Sequence, residues 1–222
     1  MAKPLQDEGV AVGRYKARRL MRQAKLTVQR RKQRHPVTTD SRHGYTVAPN
    51  LLARQFAVAK PNQVWVGDIT YVWTAEGWLY LGVLLDLYSR KVVGWAMSQR
   101  VDAALVQDAL QMALGRRQPT AGLIHHSDRG SQYACGTYQA LMAEFGLRCS
   151  MSRKGDCLDN AVAERFFGSL KGERTSLRHY ASRQEAWDDV IDYIEMFYNS
   201  KRLHSYLGYV SPNDFERLAR VA

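Results

Sequence analysis

Three consecutive segments between residues 63 and 98 constrain the chain more than anything else in it. QVWVGDITYVWT (63–74), WLYLGVLLDLYS (78–89) and RKVVGWAMS (90–98) are dense in β-branched and aromatic residues, and each reads as a strand. They are joined by turns at 75–77 and near Ser89 and Arg90, too short for a crossover, so they predict an antiparallel meander. The period then changes. VDAALVQDALQMALGRR (101–117) sets Leu105, Ala109, Met112 and Ala113 on one helical face. GLIHHSD reads as a short buried strand, TYQALMAEFG as a helix closed by Gly146, and LRCSMS as another strand. NAVAERFFGSLKGE reads as a helix with Asp159 or Asn160 as its cap. Ser182 and Glu185 form a capping box that opens a last long helix, AWDDVIDYIEMFYN. A meander followed by alternating helices and strands predicts an α/β fold: a mixed sheet with helices on its faces.

Charge is placed unevenly along this pattern. The net charge is +11, with 14 Lys/Arg against 3 Asp/Glu in residues 1–60 and 18 of each in residues 61–222. Clustered Lys and Arg bind DNA by releasing counterions from its phosphates, which makes Arg18, Arg19, Arg22, Arg30, Arg31 and Lys32 candidate DNA contacts. A solvated basic arm that only aids solubility would share this composition. Residues 11–26 read as a helix with a thin apolar stripe of Val12, Tyr15, Leu20 and Leu26. The polar stretch that follows, broken by Pro36, Gly44 and Pro49, reads as linker. The expected division is a basic segment over 1–53 and a compact domain over 54–222. With 45% hydrophobic residues a core can be buried. No apolar run reaches membrane-spanning length, the first ten residues lack the apolar stretch of a secretory signal, and three scattered cysteines fit a reducing compartment. A cytoplasmic protein is expected.

Three carboxylates stand in unusual settings. Asp68 lies mid-strand among Trp65, Val66, Ile69 and Tyr71, where Asp is disfavoured and an unpaired buried charge costs several kcal/mol, on the order of the effective penalty per ion. Asp128 ends a buried strand before the polar loop RGSQY. Glu164 lies in an apolar helix, on a face shared with Asn160, Gly168 and Lys171. Singly, each has an ordinary explanation: a strand-end Asp caps the next turn, and a helical Glu faces solvent. Together they match a hard-cation site, because Mg²⁺ and Mn²⁺ prefer oxygen ligands and a pair of such ions can activate and stabilise the oxygens of a phosphodiester exchange.

Their spacing carries a resemblance. Thirty-five residues separate Asp128 from Glu164. With Trp65-x-x-Asp68, HSDRGSQY (126–133), SMSRKGDCLDNAVAERFFGSLKGE (150–173) and YNSKRLHSYLGYVSPNDF (198–215), the chain resembles the DDE transposases of bacterial insertion sequences. The match is to the group made by fusing two reading frames, with a retroviral-integrase-like core. The resemblance covers residues 54–216 and implies a ribonuclease H-like catalytic core with a C-terminal helical tail. It further implies two Mg²⁺ ions on Asp68, Asp128 and Glu164, and Lys171 as a DNA contact beside them. Residues 11–34 look like the end of the helix-turn-helix segment that precedes such cores. The expected partners are double-stranded DNA, both element ends and target, and further copies of the chain in a DNA-bound oligomer. The expected setting is the bacterial nucleoid.

Several residues admit more than one role. His125 reads as a core histidine; His126 either contacts DNA or tunes Asp128. Asn160, on the Glu164 face, is a candidate DNA contact. Lys201, Arg202 and His204 face phosphate or cap the core. The five tryptophans read as core, with Trp65 and Trp73 on the strand face opposite Asp68. The leading expectation is an enzyme that cuts and joins DNA. A ribonuclease H-like nuclease that only hydrolyses and an inactive DNA-binding module are its rivals.

Overall fold

Residues 2–26, 43–153 and 157–220 are described by the computed structural model. The chain falls into two units, residues 1–34 and 35–222. In the first, α1 (Ala2–Asp7) and α2 (Arg14–Gln23) bracket a turn in which the Gln6 amide donates to the Val12 carbonyl at 2.6 Å. Val12 and Ala17 are buried there, while Arg18, Arg19 and Arg22 are exposed. Arg30, Arg31 and Lys32 lie outside the described residues.

In the second unit the three predicted strands form the meander: β1 (Val64–Thr74), β2 (Gly77–Asp86) and β3 (Val92–Ser98). β1 pairs antiparallel with β2 from Trp65 to Thr74, and β2 with β3. The chain then crosses through α3 (Ala103–Arg117) to β4 (Ile124–Ser127), and through α4 (Ser131–Ala134) and α5 (Gly136–Glu144) to β5 (Arg148–Met151). Both β4 and β5 run parallel to their neighbours, so the sheet order is β3-β2-β1-β4-β5. This is the mixed sheet expected from the pattern.

Strand alternation divides β1 between two cores. Trp65 and Ile69 join Leu105, Leu110, Tyr138 and Met142 on the α3–α5 face. Val64, Val66 and Val72 join Phe166, Leu170, Val190 and Ile194 on the other. That second face is covered by α6 (Ala161–Glu173) and α7 (Arg183–Ile191), the latter continuing as a π-helical stretch, Asp192–Tyr198. Helix α3 lies so close to β3 that a Cβ on Gly94 would stand 2.3 Å from the Ala109 carbonyl oxygen, which only glycine tolerates.

The C-terminal tail closes the sheet edge. The Asn199 side chain accepts from the Val92 N–H and donates to the Val92 carbonyl, each at 3.0 Å, so it stands in for a missing strand beside β3. Helix α8 (Pro212–Ala219), capped by Ser211 with proline at its first turn, carries Glu216 onto the core. Arg202 forms a fork on the Glu173 carboxylate and reaches Ser169, and the His204 ring sits edge-on to Tyr198 at 4.8 Å. For Arg202 and His204 these contacts support the capping role over the phosphate-facing one.

Candidate active site

Register brings Asp68 and Asp128 together. β1 and β4 are parallel neighbours with Val66 opposite His126, and each aspartate lies two residues further along its own strand direction. Pairing to β4 ends at Val66, so Asp68 stands where one edge of β1 is released, half-buried, opposite Val83 of β2. The Asp68 carboxylate accepts the Ile69 N–H at 2.8 Å, and Asp128 accepts the Gly130 N–H at 2.9 Å in the loop that opens α4.

Helix α6 supplies the other two groups. Ala163, Phe166, Phe167 and Leu170 fix its inner face in the core, which turns Glu164 and Gly168 outward and leaves Lys171 half-buried. The start of α6 is tied to β1 by Asn160, whose side-chain N–H donates to the Gly67 carbonyl at 3.1 Å, next to Asp68. Neither Asp159 nor Asn160 caps the helix through its side chain. Asp159 instead collects Arg54, Asn50 and the backbone and guanidinium of Arg153, whose hydrogen bonds hold its carboxyl below the ordinary range.

One electrostatic field joins these groups. Burial raises the Asp68 pKa well above its ordinary value, and the charges of Asp128 and Glu164 raise it further. The Ile69 N–H and the Lys171 ammonium oppose them. Partial desolvation also raises Glu164. Burial lowers Lys171, against the pull of Asp68, and its Nζ lies 4.3 Å from the centre of the Tyr71 ring. As the side chains stand, no three His, Cys, Asp or Glu among the described residues form a group able to hold a metal ion. The three carboxylates share a field without sharing a ligand sphere. Their all-oxygen donor set suits a hard divalent cation.

Comparison with known proteins places the chain in a family. Residues 58–157 and 164–218 match two integrase core domain families. The chain is 48% identical over 211 residues to the insertion element IS600 31 kDa protein of Shigella sonnei, covering 95% of this chain and 77% of that one. It is 48% identical to the transposase of insertion sequence element IS904 from Lactococcus lactis subsp. lactis, over 76% of this chain and 67% of that one. The chain belongs to the insertion-sequence transposases with an integrase core domain. Against transposase InsF of IS3A from Escherichia coli K12 it is 52% identical, and it spans 60% of that relative's length. Two solved structures share the fold at low identity. One is a chain of the simian T-cell lymphotropic virus intasome in complex with PP2A regulatory subunit B56 gamma, with TM-score 0.61 at 16% identity, over 80% of this chain and 60% of that one. The other is the HTLV-2 integrase catalytic core domain in complex with magnesium (dimeric form), with TM-score 0.52 at 17% identity, over 70% and 96%. The fold is ribonuclease H-like, and the transposase is by class a polynucleotidyl transferase.

Two sequence expectations need correction. His126 does not face DNA. It is fully buried, its ring nitrogens lie 2.8 Å from Ser150 Oγ and 3.1 Å from Ser152 Oγ, and burial lowers its pKa to about 4. Strand pairing on both sides of β4 closes it in. Trp65 is core, but Trp73 is 58% exposed: at this end of β1 the opposite face is packed, with Val72 and Thr74 buried, and the Trp73 face is not. His125 is core as expected, its pKa lowered to about 3 by burial and by His126.

The structure also sets beside Asp68 two residues that sequence reasoning passed over. A Cβ on Gly67 would stand 2.7 Å from His125 Nε2, so glycine is what lets β1 and the His125 ring come this close beside Asp68. Tyr133, from the HSDRGSQY segment, is buried against His125 and Tyr138. Its pKa is raised by burial first and by Asp68 and Asp128 among the charges, and its Cε1 lies 3.6 Å from where a Gly67 Cβ would stand, next to Asp68. An isolated glycine inside a strand pattern was the available signal for Gly67. Tyr133 had none.

Proposed function

We propose that Asp68, Asp128 and Glu164 are the catalytic carboxylates of a DNA strand cleavage and strand-transfer reaction at the ends of an insertion sequence. The observation that carries this reading is the parallel register of β1 and β4, which sets Asp68 and Asp128 side by side two residues past the Val66–His126 pair, with α6 tied to β1 next to Asp68 through Asn160. The three side chains would hold two Mg²⁺ ions, with Mn²⁺ as a substitute. When bound there, the metal supplies positive charge that activates the attacking oxygen and stabilises the leaving one.

The chain's own residues supply position. The Asn160–Gly67 hydrogen bond and the Asp159 cluster hold the start of α6 against β1, which fixes where Glu164 can reach relative to Asp68. Lys171 lies seven residues beyond Glu164, about two helical turns or roughly 10 Å along the axis, and suits a DNA phosphate as a point charge. The Asn160 side chain is itself buried, so its part here is to tie α6 to β1. In the first step water hydrolyses one strand and frees a 3′-hydroxyl. In the second, that hydroxyl attacks a phosphodiester of target DNA in line. Positioning and charge neutralisation supply most of the rate, and no covalent enzyme–DNA intermediate forms. The basic N-terminal segment serves as a phosphate arm, and copies of the chain assemble on element ends at the bacterial nucleoid.

Labelled element-end duplexes incubated with target DNA and Mg²⁺ test this directly. Nicked and joined products are expected from the wild type. Asp68→Asn, Asp128→Asn and Glu164→Gln are each expected to lower both by roughly a thousandfold or more, because residues acting as a unit fail together. Nicking without joining would favour the hydrolytic nuclease, and binding without turnover in either metal would favour an inactive module.

A further inference from the structure

The β1–β2 hairpin leaves two tryptophans in solvent. Trp73 and Trp78 face each other across the hairpin register and are 58% and 36% exposed. Their rings meet edge to face, with centroids 4.6 Å apart at 70°, which leaves indole surface uncovered. A protein gains nothing in stability by holding so much aromatic surface in water, and such surface marks interaction sites.

The patch is continuous with the active site. Trp78 packs edge-on against Tyr71 at 5.0 Å and 82°, and the Lys171 ammonium lies over the Tyr71 ring at 4.3 Å. Lys171 in turn is within electrostatic reach of Asp68. A line of ring contacts therefore runs from Lys171, on the helix that carries Glu164, through Tyr71 and Trp78 to Trp73. At its far end Arg183 donates from Nε to the Trp78 carbonyl at 3.2 Å, and its Nη2 stands 3.0 Å from where a Gly77 Cβ would be. Glu76 accepts the Arg183 backbone N–H at 2.8 Å, so the tip carries one acid and one base. Aromatic faces with a cation at either end match a nucleic-acid strand, whose phosphates need charge and whose bases need a stacking surface.

We propose that Trp73, supported by Trp78, is a stacking step for a base of an unpaired DNA strand beside the active site. Inside a duplex both faces of a base are already covered, so stacking on the indole selects a base that has left its stack. The chemistry picks out a frayed or flipped base near the cleaved bond, not the intact helix. The proposal rests on the strand-transfer reading above.

Binding is measured without divalent metal, by fluorescence anisotropy, on three labelled duplexes: fully paired, ending in three unpaired nucleotides, and ending in three abasic nucleotides. The wild type should bind the unpaired end more tightly than the abasic one. Trp73→Ala should weaken the unpaired end roughly tenfold while leaving the abasic one unchanged, and Trp73→Phe should restore most of the loss. Tryptophan fluorescence should be quenched by the unpaired end in the wild type and not in Trp73→Ala. Equal affinities for wild type and Trp73→Ala, or an equal loss on all three duplexes, would overturn the stacking role. So would unchanged DNA binding with a loss of self-association in sedimentation, which would assign the patch to a second copy of the chain. A wild type that binds none of the duplexes would instead overturn the DNA reading itself.

Discussion

Asp68 is ionised at a cost to the fold. Its pKa is raised by burial and by Asp128, so the folded chain holds this proton to a higher pH than the unfolded chain does. Below about pH 4 the group is protonated in both states and adds nothing. As pH rises past that, ionisation weakens the folded state relative to the unfolded one. Asp68→Asn removes the charge, and in chelator at pH 8 its Tm should exceed that of the wild type by a few degrees, a gap that closes toward pH 4. Thermal melts across a pH series decide it; a lower Tm, or a gap independent of pH, would contradict the assigned environment. At this scale the sequence is informative where chemistry conflicts with its surroundings. A carboxylate inside VWVGDITYV is visible as an anomaly, and Glu164 on an otherwise apolar helix is another. Exposure is harder to read. Alternation assigns Trp73 to a face, but whether anything covers that face depends on which elements pack there.

Elements were legible where local signals agree with tertiary demands. The meander and α3 form as the pattern predicts, and Ser182 caps its helix by accepting from the Glu185 N–H, while the Glu185 carboxylate reaches one residue past the cap to the Ala181 N–H. The start of α6 differs. Both residues suited to cap it are used elsewhere, Asp159 by two arginines and Asn160 by β1, so long-range contacts overrode a local preference. The last long helix reads as one period of 3.6, yet it continues from α7 into a π-helical stretch, whose hydrogen bonds reach one residue further along the chain, a difference that side-chain pattern does not resolve. Helix α8 depends on a buried charge cluster. Arg117 donates to both oxygens of Glu216 at 2.8 Å and to Asp86 at 3.0 Å, and Ser89 donates to Glu216. Glu216→Ala leaves Arg117 with Asp86 as its one carboxylate and with the Asn62 side-chain oxygen, and is expected to cost about 3 kcal/mol, with faster amide exchange confined to α8 and the adjoining end of α3. A loss below about 0.5 kcal/mol, the size of an ordinary surface change, would mean that α8 is held by its apolar contacts instead.

At the scale of the whole molecule, charge and catalysis are separated along the chain. Residues 1–42 hold 12 Lys/Arg against 3 Asp/Glu, while the remainder is close to neutral. Residues 43–53 sit on the second unit: Asn50 reaches Asp159, Leu52 is buried, and His43 contacts the Arg129 carbonyl. Removing residues 1–42 should therefore spare that unit and flatten the salt dependence of non-specific DNA binding, by about 0.9 in logarithmic slope for each phosphate no longer neutralised. Equal slopes for the two proteins, measured across a salt series, would show that the basic segment does not touch DNA. The central claim is that Asp68, Asp128 and Glu164, carried by β1, by the loop after β4 and by α6, act as one metal site. A crystal of the transposase soaked in Mn²⁺ tests it most directly, through anomalous density. Metal peaks with oxygens of all three carboxylates at roughly 2.1 Å are the predicted result. Peaks held by Asp68 and Asp128 with the Glu164 carboxylate turned away to solvent, or metal bound elsewhere on the chain, would contradict it.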